Sequence, residues 1–321
     1  MSTQKSWRKP GEDFTFIDLF AGIGGFRIAA ELNNGKCVFS SEWDKNSART
    51  YEVNHGEKPL GDITKINEKD IPNHDILFGG FPCQAFSISG KRKGFNESRG
   101  TLFFDIARIL KEKQPKAFVL ENVKNLLRHD NGRTFEIIFN TLIELDYSVH
   151  YKILRSSDYG VPQARERIYI VGLKNHNNNF TFPEPSTETK VVRDILEDKP
   201  ENVKYIDRKP FFKDTKPTIE NPRKPKQIGK FGKGGQGERI YSIDAAGITL
   251  SAYGGGLAGK TGAYLINNKI RKLSPRECAR LQGFPEDFEI PVTQNWALKQ
   301  FGDSVSVPVL EKIIAEVKKW I

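Results

Sequence analysis

This chain has little of what marks a membrane, secreted or metal-stapled protein. Its 321 residues contain no run of about eighteen apolar side chains, so no membrane span is expected. The stretch from Met1 to Trp7 lacks the apolar core of a secretory signal. Cysteine is scarce: Cys37, Cys83 and Cys278 have neither disulfide-framework nor metal-ligand spacing. These absences argue against a disulfide scaffold and predict a reducing cytoplasmic location and no structural metal. Internal repeats and low-complexity tracts are missing as well. What remains, 37% hydrophobic and 11% aromatic, is ordinary for a soluble globular protein large enough for one large domain and a smaller one.

Charge is the first positive signal. The formal net charge is +10, and it is uneven. Between Arg208 and Arg239 ten Lys and Arg face only Asp214, Glu220 and Glu238, a local excess of seven. A solvated basic face would explain this on a helix. Here Pro210, Pro217, Pro222 and Pro225 keep the segment extended and glycines follow it, which suits a polyanion such as nucleic acid better.

Residues 14–20 read as a buried strand, Ala21 to Gly25 as a tight turn and Phe26 to Leu32 as a helix. Further strands are expected at Cys37 to Ser41 (ending at Glu42), Asp75 to Phe78, Lys116 to Leu120 and Ile168 to Gly172. Leu102, Ile106, Ile109 and Leu110 share one helical face. Alternating strands and helices predict an α/β fold with a doubly wound, mostly parallel sheet. Past Pro183 and Pro185 the texture turns basic and loop-rich, predicting a second, smaller β domain. The expected division is 1–189, completed by 301–321, for catalysis and cofactor, 190–272 for target recognition and 273–300 as hinge. Ser274-Pro275-Arg276-Glu277 is a capping box, and Leu310, Ile313, Ile314 and Val317 stripe a last helix.

The turn Gly22-x-Gly24-Gly25 lets a ligand approach backbone, because glycine has no Cβ and tolerates positive φ. Glu42, at the end of the second strand, is placed to bind ribose hydroxyls. A dinucleotide fingerprint would need a third glycine where Arg27 stands. A cofactor with adenosine but no phosphates, such as S-adenosylmethionine, does not. The alternative is that these glycines only tighten a turn.

Phe81-Pro82-Cys83-Gln84 presents a proline-backed thiol just after an apolar strand, where open α/β sheets collect ligands. Glu121 follows the strand from Lys116 and would lie at the same edge. Arg165 and Arg167 precede the strand at Ile168. Each has a plainer reading: a free cysteine is usually a small buried hydrophobe, a strand-end glutamate a cap, paired arginines surface charge. For Cys37, in a strand, and Cys278, in a helix, that plainer reading is preferred.

Taken in order, Phe16 to Gly22, Gly80 to Ser87, Glu121-Asn122-Val123, Gln163 to Arg167 and Phe301 to Val305 closely resemble the motifs of the bacterial DNA cytosine-5 methyltransferases. The resemblance spans almost the whole chain. It implies the S-adenosylmethionine-dependent methyltransferase fold and a covalent mechanism. Cys83, backed by Pro82, would add to carbon 6 of a flipped cytosine. Glu121 would hold or donate the proton at ring nitrogen 3. Arg165, with Arg167, would anchor the base or orient Glu121. Phe20, Gly22, Ile23, Gly24, Gly25, Glu42, Trp43, Asp62, Ile63, Leu102 and Ser304 match cofactor positions. Ser87, Ser89, Gln236, Glu238, Arg239, Thr249, Tyr253, Gly255 and Gly256 match DNA-contacting positions, with Ser89 and Gln236 filling the space of the extruded base. Residues 232–242 and 248–256 are close to the recognition loops of a family member that targets GCGC.

Asp303 departs from the pattern, which has Asn there, so the role of that position is not carried over. The resemblance further implies double-stranded DNA as partner, a bacterial, nucleoid-associated monomer, and a possible cognate restriction endonuclease without a stable complex. Three other functions stand beside it: an RNA cytosine-5 methyltransferase, a non-catalytic sequence-specific DNA-binding protein and, weakest given Arg27, a nicotinamide oxidoreductase.

Overall fold

The computed structural model describes residues 5–9, 11–82, 102–174, 179–201, 203–212 and 219–321. They fall into two compact units, one of Trp7–Leu154, Arg167–Pro183 and Leu310–Ile321, the other of Met1–Ser6, Arg155–Glu166 and Glu184–Val309.

The first unit alternates β1 (Phe14–Leu19), α1 (Gly25–Glu31), β2 (Gly35–Ser41), α2 (Lys45–His55), β3 (Ile76–Gly80), α3 (Leu102–Lys113), β4 (Ala117–Val123), α4 (Arg133–Glu144), β5 (Tyr147–Arg155) and β6 (Glu166–Lys174). Six strands form one sheet in the order β2-β1-β3-β4-β6-β5. β1 is parallel to β2 and β3, and β3 to β4; β6 runs antiparallel to β4. A parallel return needs a crossover of about a dozen residues or more, and only residues 156–165, with one 3-10 turn at Ser156–Asp158, lie between β5 and β6.

Strand residues alternate between two apolar faces, which is why both are covered. Ile17, Leu19, Leu77, Phe118, Leu120, Ile168 and Ile170 belong to a core with Ile106 and Leu110 of α3 and Ile138 and Leu142 of α4. On the opposite side Phe78 meets Phe16 at 5.3 Å and stacks on Phe26 of α1 at 5.5 Å. Of the strand ends that differ from the sequence reading, two bear on the site. β4 continues to Val123, because β6 pairs with it up to Val123 opposite Arg167, so Glu121 lies inside the strand. β6 accordingly begins at Glu166.

The second unit holds a five-stranded sheet, β11-β10-β9-β8-β7, built from β7 (Phe211–Phe212), β8 (Gln227–Lys230), β9 (Arg239–Tyr241), β10 (Ala263–Ile266) and β11 (Lys269–Arg271). Its core is small: Ile206, Phe231, Ile240, Ala258 and Ala263. α5 (Pro275–Gln282) and α6 (Gln294–Asp303) follow in this unit; α7 (Val307–Val317) returns the chain to the first unit, and its Leu310, Ile313, Ile314 and Val317 are fully buried as their spacing predicts. Among the described residues no helix is long and apolar enough to cross a membrane.

The capping box at Ser274 forms, and it carries more than a helix end. Buried Glu277 accepts from the Ser274 amide at 2.8 Å, from the Glu197 amide at 3.0 Å and from both terminal nitrogens of Arg271 at 2.7 Å. Removing one partner of a fully buried, hydrogen-bonded pair strands the other charge. Glu277→Ala is therefore expected to cost the second unit about 3–5 kcal/mol, read as a lowered urea midpoint, with Glu277→Gln milder.

Candidate active site

Where β1 ends the chain must turn sharply, and it does so through positive φ at Phe20, Gly22 and Gly24. A Cβ on Gly24 would lie 2.1 Å from His55 Nε2, so this position is closed to side chains. Gly22 is different: a Cβ there would meet only the Phe20 carbonyl, at 4.0 Å, and otherwise point into open space. Beside it, the nearly buried Glu42 carboxylate accepts the Gly22 amide at 2.8 Å and the Asp44 amide at 2.7 Å. Burial pushes the Glu42 carboxyl above its ordinary range, opposed by those amides. The Glu42 amide donates to the Leu60 carbonyl, which brings the Asp62–Ile63 segment alongside. Asp62 caps its 3-10 turn through Thr64, and Arg108 holds the Ile63 carbonyl at 2.7 Å. Trp43 stands 76% exposed, an unusual setting for an indole unless something covers it.

The second cluster lies at the ends of β3, β4 and β6. Gly80 pairs with Glu121 in register, and Asn122 Nδ2 donates to the Phe81 carbonyl at 2.8 Å. Asn122 thereby fixes the exit of the chain toward exposed Pro82. Cys83, Ser87 and Ser89 lie outside the described residues. Glu121, 8% exposed, sits opposite Tyr169, and Arg167 is its diagonal neighbour two residues along β6. That diagonal brings Arg167 Nε to 3.0 Å from Glu121 Oε1, as an ion pair rather than an aligned hydrogen bond. Neither of the two described cysteines is disposed to ionise: burial pushes the Cys37 thiol up to about 12 and Cys278 well above its ordinary value.

In the second unit a buried polar knot joins four segments. Gln163 Nε2 donates to the Leu281 carbonyl at 3.0 Å and to Gln282 Oε1 at 3.1 Å, and its oxygen accepts the Leu250 amide at 3.0 Å. Arg165 donates to the carbonyls of Leu250 (3.3 Å), Gly302 (3.2 Å) and Ser304 (2.6 Å). Gln282 closes the knot on the Phe301 and Ser304 carbonyls. Residues 253–259 follow Leu250 and pack against residues 232–238, with Arg239, Tyr253, Gly255 and Gly256 all exposed.

Over residues 14–319 the sequence matches the family described as C-5 cytosine-specific DNA methylase. The chain belongs to this family. It is 56% identical over 301 residues to the type II methyltransferase M.HhaI of Haemophilus parahaemolyticus, covering 93% of this chain and 92% of that one. M.SsoII of Shigella sonnei is 51% identical, covering 95% and 80%, and M.HpaII of Haemophilus parainfluenzae 47%, covering 94% and 88%. The Dnmt2 methyltransferase of S. pombe shares the fold, with a TM-score of 0.73 at 21% identity over 94% of this chain and 97% of that one. The protein is thus a DNA (cytosine-5) methyltransferase, of a family that uses S-adenosylmethionine as methyl donor.

At the β1 turn the methyltransferase has room for such a group: the space over Gly22 is open and the Glu42 carboxylate is fixed beside it. Arg27 explains the missing third glycine. It is buried against Glu31 at 2.7 Å and Tyr51 at 3.0 Å, with Glu57 beside it, and works as packing. Ile23 and Gly25 are buried beneath the turn, and Leu102 opens α3 half-buried. Thr249 donates its hydroxyl to the Ala164 carbonyl at 2.9 Å, and the backbone but not the side chain of Gln236 is described. Asp303, at the end of α6, pairs with Lys299 at 3.3 Å, and Lys299 also lies over the rings of Tyr253 and Trp296. Sequence reasoning passed over Asn122, Gln163 and Gln282 as site builders, since an amide that binds backbone leaves no periodic or spacing signal. It also passed over Asp18.

Asp18 is fully buried in β1, and neither carboxyl oxygen makes a well-formed hydrogen bond among the described residues. Burial pushes its carboxyl from an ordinary value of 3.8 to about 8, against a weaker pull from Arg27 and with Glu42 adding to the rise. The folded protein therefore keeps a proton that the unfolded chain releases above about pH 4. This contribution to stability is full below about pH 4 and is lost as the pH climbs to about 8. Asp18→Asn, neutral throughout, is expected to gain stability relative to wild type as pH rises through that window. Urea unfolding of both proteins at several pH values checks this; a pH-independent difference would contradict a buried neutral Asp18.

Proposed function

We propose that the enzyme methylates carbon 5 of a cytosine flipped out of duplex DNA at GCGC, through a covalent adduct on Cys83. The observation that carries the reaction is the Glu121–Arg167 pair, held by β4 and β6 beside the strand end from which the chain runs to Cys83; the choice of GCGC rests on the likeness to M.HhaI. A paired carboxylate at that edge is what pyrimidine activation requires.

Carbon 5 of cytosine is too poor a nucleophile to take a methyl group unaided. The Cys83 thiolate forms a bond to carbon 6, and the carbon 5–carbon 6 electron pair makes carbon 5 an enamine carbon. An ordinary thiol, with pKa about 8.5, is only a few per cent ionised near pH 7, so the site must favour the thiolate. Ring nitrogen 3 takes up a proton through Glu121 as the bond to carbon 6 forms, which keeps negative charge from building on the ring, and gives it back through Glu121 when the thiolate leaves. Arg167 orients Glu121, and Arg165 fixes the backbone of its own unit. S-adenosylmethionine, when bound, supplies the sulfonium methyl that carbon 5 takes up. A base then removes the carbon 5 proton, the double bond re-forms and the Cys83 thiolate leaves.

Glu42 would hold the ribose hydroxyls of that donor, with Phe20, Gly22, Ile23, Gly24, Gly25, Trp43, Asp62, Ile63 and Leu102 around it. A target carbon inside a stacked duplex is unreachable, and extrusion costs a few kcal/mol. Ser87, Ser89 and Gln236 would hold the opened duplex, and Arg239 would read guanine at O6 and N7. Thr249, Tyr253, Gly255 and Gly256 would face the DNA backbone. Division into a catalytic region (1–189 with 301–321), a recognition region (190–272) and a hinge (273–300) belongs to the same reading. So do a monomer and, on the strength of the type II relatives, a cognate restriction endonuclease.

Labelled methyl transfer to duplex DNA, with tRNA as comparison, tests the reaction. Cys83→Ser is expected to lower transfer more than about a thousandfold while leaving DNA binding intact; full activity would refute the nucleophile. Bisulfite sequencing of DNA methylated in vitro should show GCGC as the dominant site, and any other dominant site would replace that specificity.

A further inference from the structure

The loop from Gly232 to Gly237 is four-sixths glycine and should be among the least ordered segments of the protein. Arg239 follows it directly. An arginine that discriminates one base from another must be presented at a fixed place, so something has to hold this loop still.

Part of the answer is backbone. The Gly234 amide donates to Phe231 O at 3.0 Å, the Phe231 amide to Glu238 O at 2.8 Å and the Glu238 amide to Gly235 O at 2.9 Å. The loop also rests on its neighbour: a Cβ on Gly237 would lie 2.0 Å from the Gly255 carbonyl, and the Ala258 amide donates to Gly237 O at 2.8 Å. The rest comes from one side chain. Glu238 Oε2 accepts from the amides of Gly234 at 3.0 Å and Gly235 at 3.2 Å, and Oε1 faces the Arg208 guanidinium at 3.9 Å. Gly232, at φ +48°, leaves the space this arrangement needs, since a Cβ there would crowd Glu238 Oε1 at 3.1 Å and Arg208 Nη2 at 3.3 Å. The peptide carbonyl of the same Gly234 receives Arg239 Nε at 3.4 Å. Moving Gly234 therefore moves Arg239.

We infer that Glu238 acts on the loop rather than on the DNA: with Arg208 as counterion, it is the positioning residue that sets where Arg239 reads. The carboxylate is spent on two amides and a guanidinium, which also suits a surface that must approach phosphates, where an unpaired acid would repel. This inference rests on the reading of Arg239 as a base contact.

The test uses the full-length enzyme with Glu238→Ala, Glu238→Gln and Arg208→Ala. Amide hydrogen exchange at Gly234 and Gly235 is followed without DNA. Discrimination is the ratio of kcat/KM on the site that the wild type prefers to kcat/KM on duplexes with one base pair changed. Glu238→Ala is expected to speed exchange at both amides and cut discrimination about tenfold, with the KM for S-adenosylmethionine unchanged within about twofold. The glutamine variant, whose side-chain oxygen can still accept from both amides, should restore protection and most of the discrimination. Arg208→Ala should fall between them and keeps the test open if the alanine variant at 238 fails to fold. Discrimination lost in the glutamine variant while both amides stay protected would mean that the carboxylate touches DNA, and would overturn the inference. Unchanged exchange in Glu238→Ala or Arg208→Ala would overturn it too. Because the preferred site is taken from the wild type itself, a target other than GCGC would defeat the specificity reading alone.

Discussion

A peptide group that leaves a sheet or helix must find another partner, and the site regions of this protein are organised by how that demand is met. At the end of β2, Glu42 takes the amides of Gly22 and Asp44. At the end of β3, Asn122 takes the Phe81 carbonyl. In the other unit, Gln163, Arg165 and Gln282 together serve the carbonyls of Leu250, Leu281, Phe301, Gly302 and Ser304. Turns that would otherwise be defined only by glycine are thus fixed by buried polar side chains. Each such bond is worth little net when formed but costly when orphaned, so the loops have few alternatives.

The antiparallel β6 has a chemical consequence. Opposite a parallel neighbour the pairing would be slanted, and the diagonal relation between Glu121 and Arg167 would not arise in this form. Register puts Arg167 across from Val123 and one diagonal from Glu121, both on rigid strand. An acid and its paired cation on two adjacent strands hold their geometry better than the same pair on loops. The strand extension that carries Glu121 inside β4 is therefore part of how the site is made rigid.

Much of this was legible in the sequence. Buried strands announce themselves by apolar runs, and Ser274 and Glu277 announce a helix start by spacing alone. The mostly parallel sheet followed from the alternation of elements. α2 was not read, because its buried residues include Thr50, Asn54 and His55 and leave no apolar stripe. The ends of β4 and β6 were misjudged because Glu121, Asn122 and Arg167 are polar, and polar residues inside a strand look like its end. Functional strand ends break the pattern that identifies strands, so the boundaries fail where the chemistry lies. The partner of Glu121 depended on register, which no single strand encodes.

A chain of this charge also has to dispose of its acids if it is to meet a polyanion. There are forty Asp and Glu against fifty Lys and Arg, enough to cancel most of the positive field if all stood at the surface. Several instead face inward onto donors: Glu42 onto amides, Glu121 onto Arg167, Glu277 onto Arg271 and two amides, Glu238 onto two amides with Arg208 beside it. Each acid so used has its charge met within the protein. The exposed lysines and arginines near residues 232–238 and 253–259 are then left with less to oppose them. Order in the loops and a positive field around them come from the same placements, since the carboxylate that holds a turn is one fewer to repel phosphate.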